Sequence, residues 1–102
     1  MMKYLLIAAL MLPVSANAVL TDEQINTCAK LSEVAKDTLI GRYKGVSLRF
    51  AYSGVKDDVL AIEVVKSAYY QTMYEYEVNI SSQLAEFENG WFSGCILYFE
   101  SK

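Results

Sequence analysis

The sequence of 102 residues has no histidine, one proline and two cysteines. The absence of histidine excludes a Ser-His-Asp triad, a Cys-His dyad and a histidine metal site. No phosphate-binding loop or dinucleotide glycine pattern is present, and a net charge of −3 argues against a nucleic-acid-binding protein. At 54% hydrophobic residues the chain is too apolar for a disordered tail, and its length allows one small domain. We therefore expect a folded protein that is not an enzyme and needs no cofactor or metal.

Residues 1–18 have the features of a secretory signal peptide. Lys3 precedes an apolar run at 4–12, and Ala16-Asn17-Ala18 places small residues at the −3 and −1 positions of a cleavage site. The apolar run has about half of the ~20 residues that a membrane span needs. We expect cleavage after Ala18 and a single helical domain at 19–102 in the periplasm or outside the cell. A signal retained as a membrane tether is the alternative. A signal this short is typical of a bacterial or bacteriophage protein.

Charge is unevenly distributed along the mature chain. Residues 19–66 carry seven basic and seven acidic side chains, whereas residues 67–101 contain no Lys or Arg and five Glu. The second stretch also holds nine aromatic residues. The carboxylate pairs Asp57/Asp58 and Glu75/Glu77 do not share a helix face, so they do not predict an active site. The C-terminal half is therefore acidic and aromatic, and we expect no carboxylate active site in it.

The two cysteines, Cys28 and Cys95, are predicted to form a disulfide. In an oxidising compartment an even number of cysteines usually pairs, and two cysteines allow one connectivity. Closing so long a loop is worth ~4 kcal/mol in the chain-entropy model, which is comparable with the net stability of a small domain. A reactive or metal-binding thiol pair is the alternative, but no C-x-x-C spacing or histidine supports it.

Four helices are predicted, the first two with clear boundaries. Thr21 begins a T-D-E-Q capping box, which predicts a helix over 22–43 that stops at Gly45. Its inward face would consist of Ile25, Cys28, Ala29, Ser32, Ala35 and Leu39. Ser47 can cap a short second helix over 48–53.

The third and fourth helices are predicted over 56–70 and 75–99. The third has Asp57 and Asp58 in its first turn, and its inward face would be Val59, Ile62, Val65, Ala68 and Tyr69. The β-branched run V-L-A-I-E-V-V also permits a strand, but its length and lack of alternation favour a helix.

The last helix has an amphipathic pattern that includes glycine. Its apolar seam would be Ile80, Leu84, Phe87, Trp91, Gly94 and Tyr98. Gly90 and Gly94 each cost ~1 kcal/mol of helix propensity. We expect that cost to be offset by close approach to the first helix near the cysteine pair. The predicted fold class is all-α, a small bundle of three to four helices stapled by one disulfide.

The tyrosines around the predicted connection between the last two helices suggest a binding surface. Tyrosine buries a large area and keeps a polar tip, and it is enriched at binding hot spots. The plainer interpretation is that a small bundle needs bulky side chains in its core. As partner-binding residues we predict Tyr70, Tyr74, Tyr76, Glu75 and Glu77, whose acidic members would select a partner with a basic surface.

The order of these features resembles an uncharacterised family of small secreted two-cysteine helical proteins from bacterial and bacteriophage genomes. The resemblance rests on Cys28 in the opening helix, the turn at 42–48 (R-Y-K-G-V-S-L), the pair Ala68-Tyr69, Phe87 and Cys95. Members of that family often have a proline in the connection to the last helix, where this chain has Thr72 and Met73. The resemblance implies a helical fold and an exported protein, and it implies no activity.

These observations predict a non-enzymatic, protein-binding factor of the periplasm. The type we favour is an inhibitor or an immunity or exclusion factor that blocks another cell-envelope protein, with a cell-wall hydrolase as one candidate target. The alternative is a structural or chaperone-like envelope protein that self-associates through its aromatic residues. A homodimer is compatible with either function.

Overall fold

The computed structural model describes residues 19–102, and all regular secondary structure in that range is helical. Helix α1 spans Asp22–Tyr43, α2 spans Leu48–Ser53, α3 spans Val59–Tyr70 and α4 spans Glu77–Glu100. The predicted all-α class is therefore confirmed. The predicted signal peptide at 1–18 lies outside the described residues.

Local hydrogen bonding fixes both ends of α1 as the sequence predicts. The Thr21 hydroxyl accepts a hydrogen bond from the Gln24 amide at 3.1 Å, and the Gln24 side chain accepts one from the Thr21 amide at 2.9 Å. At the other end Gly45 adopts a φ of 93°, and the amide of Val46 donates to the carbonyl of Gly41 at 2.9 Å. These bonds satisfy backbone groups that a helix end leaves unpaired. The helix consequently begins and ends where the capping box and Gly45 indicate.

Helix α1 is the centre of the bundle. Helices α3 and α4 each pack along α1 rather than along each other, and α2 packs on α3. A disulfide joins Cys28 near the start of α1 to Cys95 near the end of α4, with the two Cα atoms 5.4 Å apart. The two helices therefore run antiparallel, and the predicted pairing is confirmed. The core cluster of buried residues consists of Cys28, Leu31, Ala35, Leu39, Val64, Ala68, Phe87 and Cys95.

The predicted start and inward face of the third helix are wrong in part. Helix α3 begins at Val59 rather than Lys56, because Asp58 is its N-cap and accepts a hydrogen bond from the Ala61 amide at 3.1 Å. Asp57 therefore lies in the preceding turn. Val59 is 76% exposed, whereas Ala61 and Val64 are buried beside Val65 and Ala68. The buried face is thus rotated from the predicted one. On α1, Ile25 is likewise exposed, and the buried face begins at Cys28, one turn further along the helix.

The fourth helix also departs from its predicted pattern. It begins at Glu77 rather than Glu75 and extends to Glu100. Gly94 and Tyr98, predicted as part of the seam, are exposed, whereas Gln83 is buried with Phe87 and Cys95. A Cβ atom built on Gly90 or Gly94 meets no other atom within 4 Å. The expected close approach of these glycines to α1 is therefore wrong.

Candidate functional site

A groove runs along α4 on the side that faces the end of α3. It encloses about 770 Å³ and is open to solvent. It exists because α3 and α4 both pack on α1 and leave the space between themselves unfilled. Its lining residues are Ser67 and Gln71 of α3, Thr72 and Tyr74 of the connection, and Asn79, Ser82, Gln83, Glu86, Phe87, Gly90, Trp91 and Gly94 of α4.

The lining of the groove combines aromatic surface with a single charge. Tyr74, Phe87 and Trp91 supply the aromatic side chains, and Glu86 is the only ionisable carboxylate among the lining residues. No Lys or Arg lines this groove, in keeping with their absence from residues 67–101. A cationic group entering the groove would meet a carboxylate, which attracts it, and aromatic side chains, which attract a cation positioned over the ring.

Two glycines form part of the α4 wall of the groove, and neither the backbone conformation nor a contact within the described residues requires glycine there. Gly90 and Gly94 lie one helical turn apart, and neither has a positive φ. The space beside each is open for an added Cβ. Relative to alanine, glycine within a helix costs about 1 kcal/mol at each position. Neither backbone conformation nor packing within residues 19–102 offsets that cost.

A polar network around the buried Gln83 holds the connection that forms one end of the groove. The Tyr43 hydroxyl donates a hydrogen bond to Oε1 of Gln83 and accepts one from the Tyr74 amide at 3.0 Å. The Gln83 side-chain amide donates to the carbonyl of Thr72 at 2.7 Å. Gln83 is only 8% exposed, and a buried amide is costly unless its groups are paired. The network therefore fixes residues 72–74 against α1 and α4.

A second set of contacts fixes the end of α3. Nη1 of Arg42 donates to the carbonyls of Ala68 at 2.9 Å and Gln71 at 2.7 Å, and the guanidinium lies 5.5 Å from the centre of the Tyr69 ring. The Ala68 carbonyl also accepts a long hydrogen bond of 3.4 Å from the amide of Gln71, the C-cap residue, so Arg42 supplies a charged donor to both carbonyls at the end of α3. The Tyr69 hydroxyl donates to the carbonyl of Val46, and burial raises the pKa of Tyr69 above 10.0 while the Arg42 charge acts in the opposite direction.

The predicted partner-binding residues all lie at the junction of α3 and α4. Tyr70 is 85% exposed and Tyr76 is 70% exposed, and Glu75 and Glu77 are also exposed. Tyr74 alone among the five lines the groove. The predicted set thus lies at one end of the groove, and its role in binding stays a prediction.

Sequence reasoning missed the residues that form the length of the groove. Glu86, Trp91 and Gln83 were not predicted as site residues, because a helical pattern does not show which side of α4 is left uncovered. The unexplained glycines were the one local signal. Gly90 and Gly94 both carry a cost in helix propensity, and both line the groove.

No protein-family model, curated protein sequence or solved structure matches the chain. Within residues 19–102, no helix has the length and hydropathy that crossing a membrane requires. The same residues contain no cluster of cysteines and carboxylates that could hold a metal ion.

Proposed function

We propose that this protein is a non-enzymatic binding factor of the cell envelope that blocks another protein by holding a basic segment of it in the groove. The observation that carries the proposal is an open groove lined by three aromatic side chains and Glu86, with no Lys or Arg among its lining residues. A complementary partner would present Lys or Arg, since like charges at an interface are strongly disfavoured. A cell-wall hydrolase with a basic surface is one candidate target.

The rigidity of the groove supports binding rather than a merely solvated surface. Tyr43 and Gln83 hold the connection, Arg42 holds the end of α3, and the disulfide ties α4 to α1. A preformed groove loses less conformational entropy on binding than a mobile one. Location in the periplasm is part of the proposal and follows from the predicted signal at 1–18.

Affinity capture with the oxidised chain 19–102 from periplasmic extract, followed by reconstitution with the purified partner, tests this proposal. Glu86→Lys should lower the affinity for the purified partner by about tenfold or more, because it places a cation against the partner's own cation. Glu33→Lys makes the same charge change on an exposed position of α1 outside the groove and is the matched control.

The pattern of the two variants decides the outcome. Selective loss of binding in Glu86→Lys, with an inhibited activity in the bound partner, supports an inhibitor. Equal affinity of the two variants, or equal loss in both, would mean that the groove is not the binding surface. A chain that binds no protein and assembles with itself would instead support a structural envelope protein.

A further inference from the structure

We infer that the segment held in the groove is an α-helix, packed against the backbone of α4 at Gly90 and Gly94 with one of its Lys or Arg side chains paired with Glu86. This inference rests on the proposed function, because it specifies the shape of the segment that the same groove binds. It makes the partner's helix an additional member of the bundle formed by α1, α3 and α4.

The spacing of the lining residues on α4 matches the contact of one helix with another. Ser82, Glu86, Gly90 and Gly94 all line the groove and follow one another at intervals of four residues. Because an α-helix has 3.6 residues per turn, they form a strip about 18 Å long on one face. Two helices pack when the ridges of side chains on one fit into the grooves between such rows on the other.

Gly90 and Gly94 have no side chains, so the backbone of α4 is accessible at these two positions of the strip. Small residues at four-residue spacing let the backbones of two helices approach closely. Gly90 and Gly94 serve no such contact within the described chain, because apart from the neighbouring backbone of α4 nothing lies within 4 Å of a Cβ built on either. Alanine at both positions would favour α4 itself. Their small size is therefore available to a helix from outside.

Other shapes of segment fit the groove less well. Addition of a β-strand needs an exposed sheet edge, and residues 19–102 contain no strand. A polyproline II helix repeats about every 9 Å along its axis, which does not match the ~6 Å between residues four apart on α4. A helix with apolar and small residues on one face fits the aromatic lining, and its flanking cation reaches Glu86.

The charge of the occupant follows from the same residues. Glu86 stands on the strip between Ser82 and Gly90, and no lining residue carries a positive charge. Trp91 and Tyr74 also line the groove, and aromatic rings attract a cation that lies over their faces. A second copy of this chain could place its own helix here, but an α4 in that position would bring like charges together.

Trp91 allows occupancy of the groove to be measured directly, because it is the only tryptophan of the chain and lines the groove. The probe is an amidated, tryptophan-free, alanine-rich peptide of about 18 residues with Lys at four-residue spacing, long enough to be helical. Two matched peptides carry Glu in place of Lys, or proline at central positions. The Lys helix should shift Trp91 emission saturably, and both matched peptides should not.

The decisive variant is Gly90→Ala/Gly94→Ala, for which stability and binding should change in opposite directions. Its Tm should rise by about 4 °C or more, because alanine favours the helix. Its affinity for the Lys helix should fall by about tenfold or more, because the added methyl groups hold the two backbones apart. Asn89→Ala, at an exposed position of α4 outside the groove, should raise the Tm and leave the affinity unchanged.

Each contrary result has a distinct meaning. Undiminished binding in the double glycine variant, together with loss in Glu86→Lys, would overturn the helix contact and leave the proposed function intact. No saturable shift with the Lys helix would overturn the inference, and capture of the natural partner by the groove would then still test the proposed function separately. A dimer of this chain that Gly90→Leu abolishes would make a second copy the occupant and would overturn the basic helix.

Discussion

Removal of the disulfide by Cys28→Ala/Cys95→Ala should nearly unfold the protein. The bridge closes a loop with a sequence separation of 67, and in the chain-entropy model a loop of this length is worth about 4 kcal/mol. Both cysteines also belong to the buried core, so the variant loses packing of the two sulfur atoms. A small domain has a free energy of unfolding of about 5–15 kcal/mol, and this bundle has few buried side chains.

The assay is urea denaturation followed both by far-ultraviolet circular dichroism and by Trp91 emission. With a slope of about 1 kcal/mol per M urea for a domain of this size, the midpoint should fall by about 4 M. The slope itself should rise, since the open chain exposes more surface in its unfolded state. Reduced wild-type protein keeps both sulfur atoms, so its loss should be smaller by the packing contribution of those atoms and should consist mainly of the loop-closure term. Ser32→Ala changes another buried residue of α1 whose hydroxyl bonds only within the helix, and it should cost about 1 kcal/mol or less.

One result would refute the reasoning. A loss below about 1 kcal/mol in both the variant and the reduced protein would mean that helix packing alone holds the start of α1 against the end of α4.

Four further results are expected. Arg42→Met should lower the free energy of unfolding by about 2–3 kcal/mol, as measured by urea midpoints, because it leaves two carbonyls without a charged donor. The loss of a hydrogen bond between two neutral groups would cost less. Burial raises the folded-state pKa of Tyr69 above its unfolded value of 10.0, so its contribution to stability is present below that pH and is lost as the pH rises through the folded value. Urea midpoints across the alkaline range should therefore fall less steeply in Tyr69→Phe than in wild type. Tyr43→Phe should speed hydrogen exchange at the Tyr74 amide by about tenfold, and unchanged exchange would contradict the role of the network. Glu75→Lys/Glu77→Lys should weaken capture of a basic partner, and unchanged affinity would remove the α3–α4 junction from the binding surface.

The parts of the fold that depend on neighbouring residues could be predicted from the sequence. The ends of α1 follow from Thr21, Gln24 and Gly45, whose hydrogen bonds span only a few residues. The disulfide could also be predicted, because two cysteines leave one pairing. Such features need no knowledge of which helix packs where.

The faces of the helices could not be predicted to the same degree. Val59 and Ile62 fit an inward face of α3 by spacing, but which side is covered depends on where α1 lies. Gln83 is polar and was not expected in the interior, since the hydroxyl that pairs with it belongs to Tyr43, 40 residues earlier. A helical period shows that a face exists and does not show which face is covered.

The groove follows from the unequal lengths of the helices. Helix α4 has 24 residues and α1 has 22, whereas α2 has six and packs on α3. At 1.5 Å per residue α2 is about 9 Å long, so it could cover only a fraction of α4 wherever it lay. The bundle consequently has three long or medium helices and a vacant position beside α4. The two glycines on α4, which no internal contact explains, lie at that vacancy. The loss of helix propensity at these glycines fits a binding site for a further helix. A bound helix would pack against the α4 backbone there, and that contact would offset the loss.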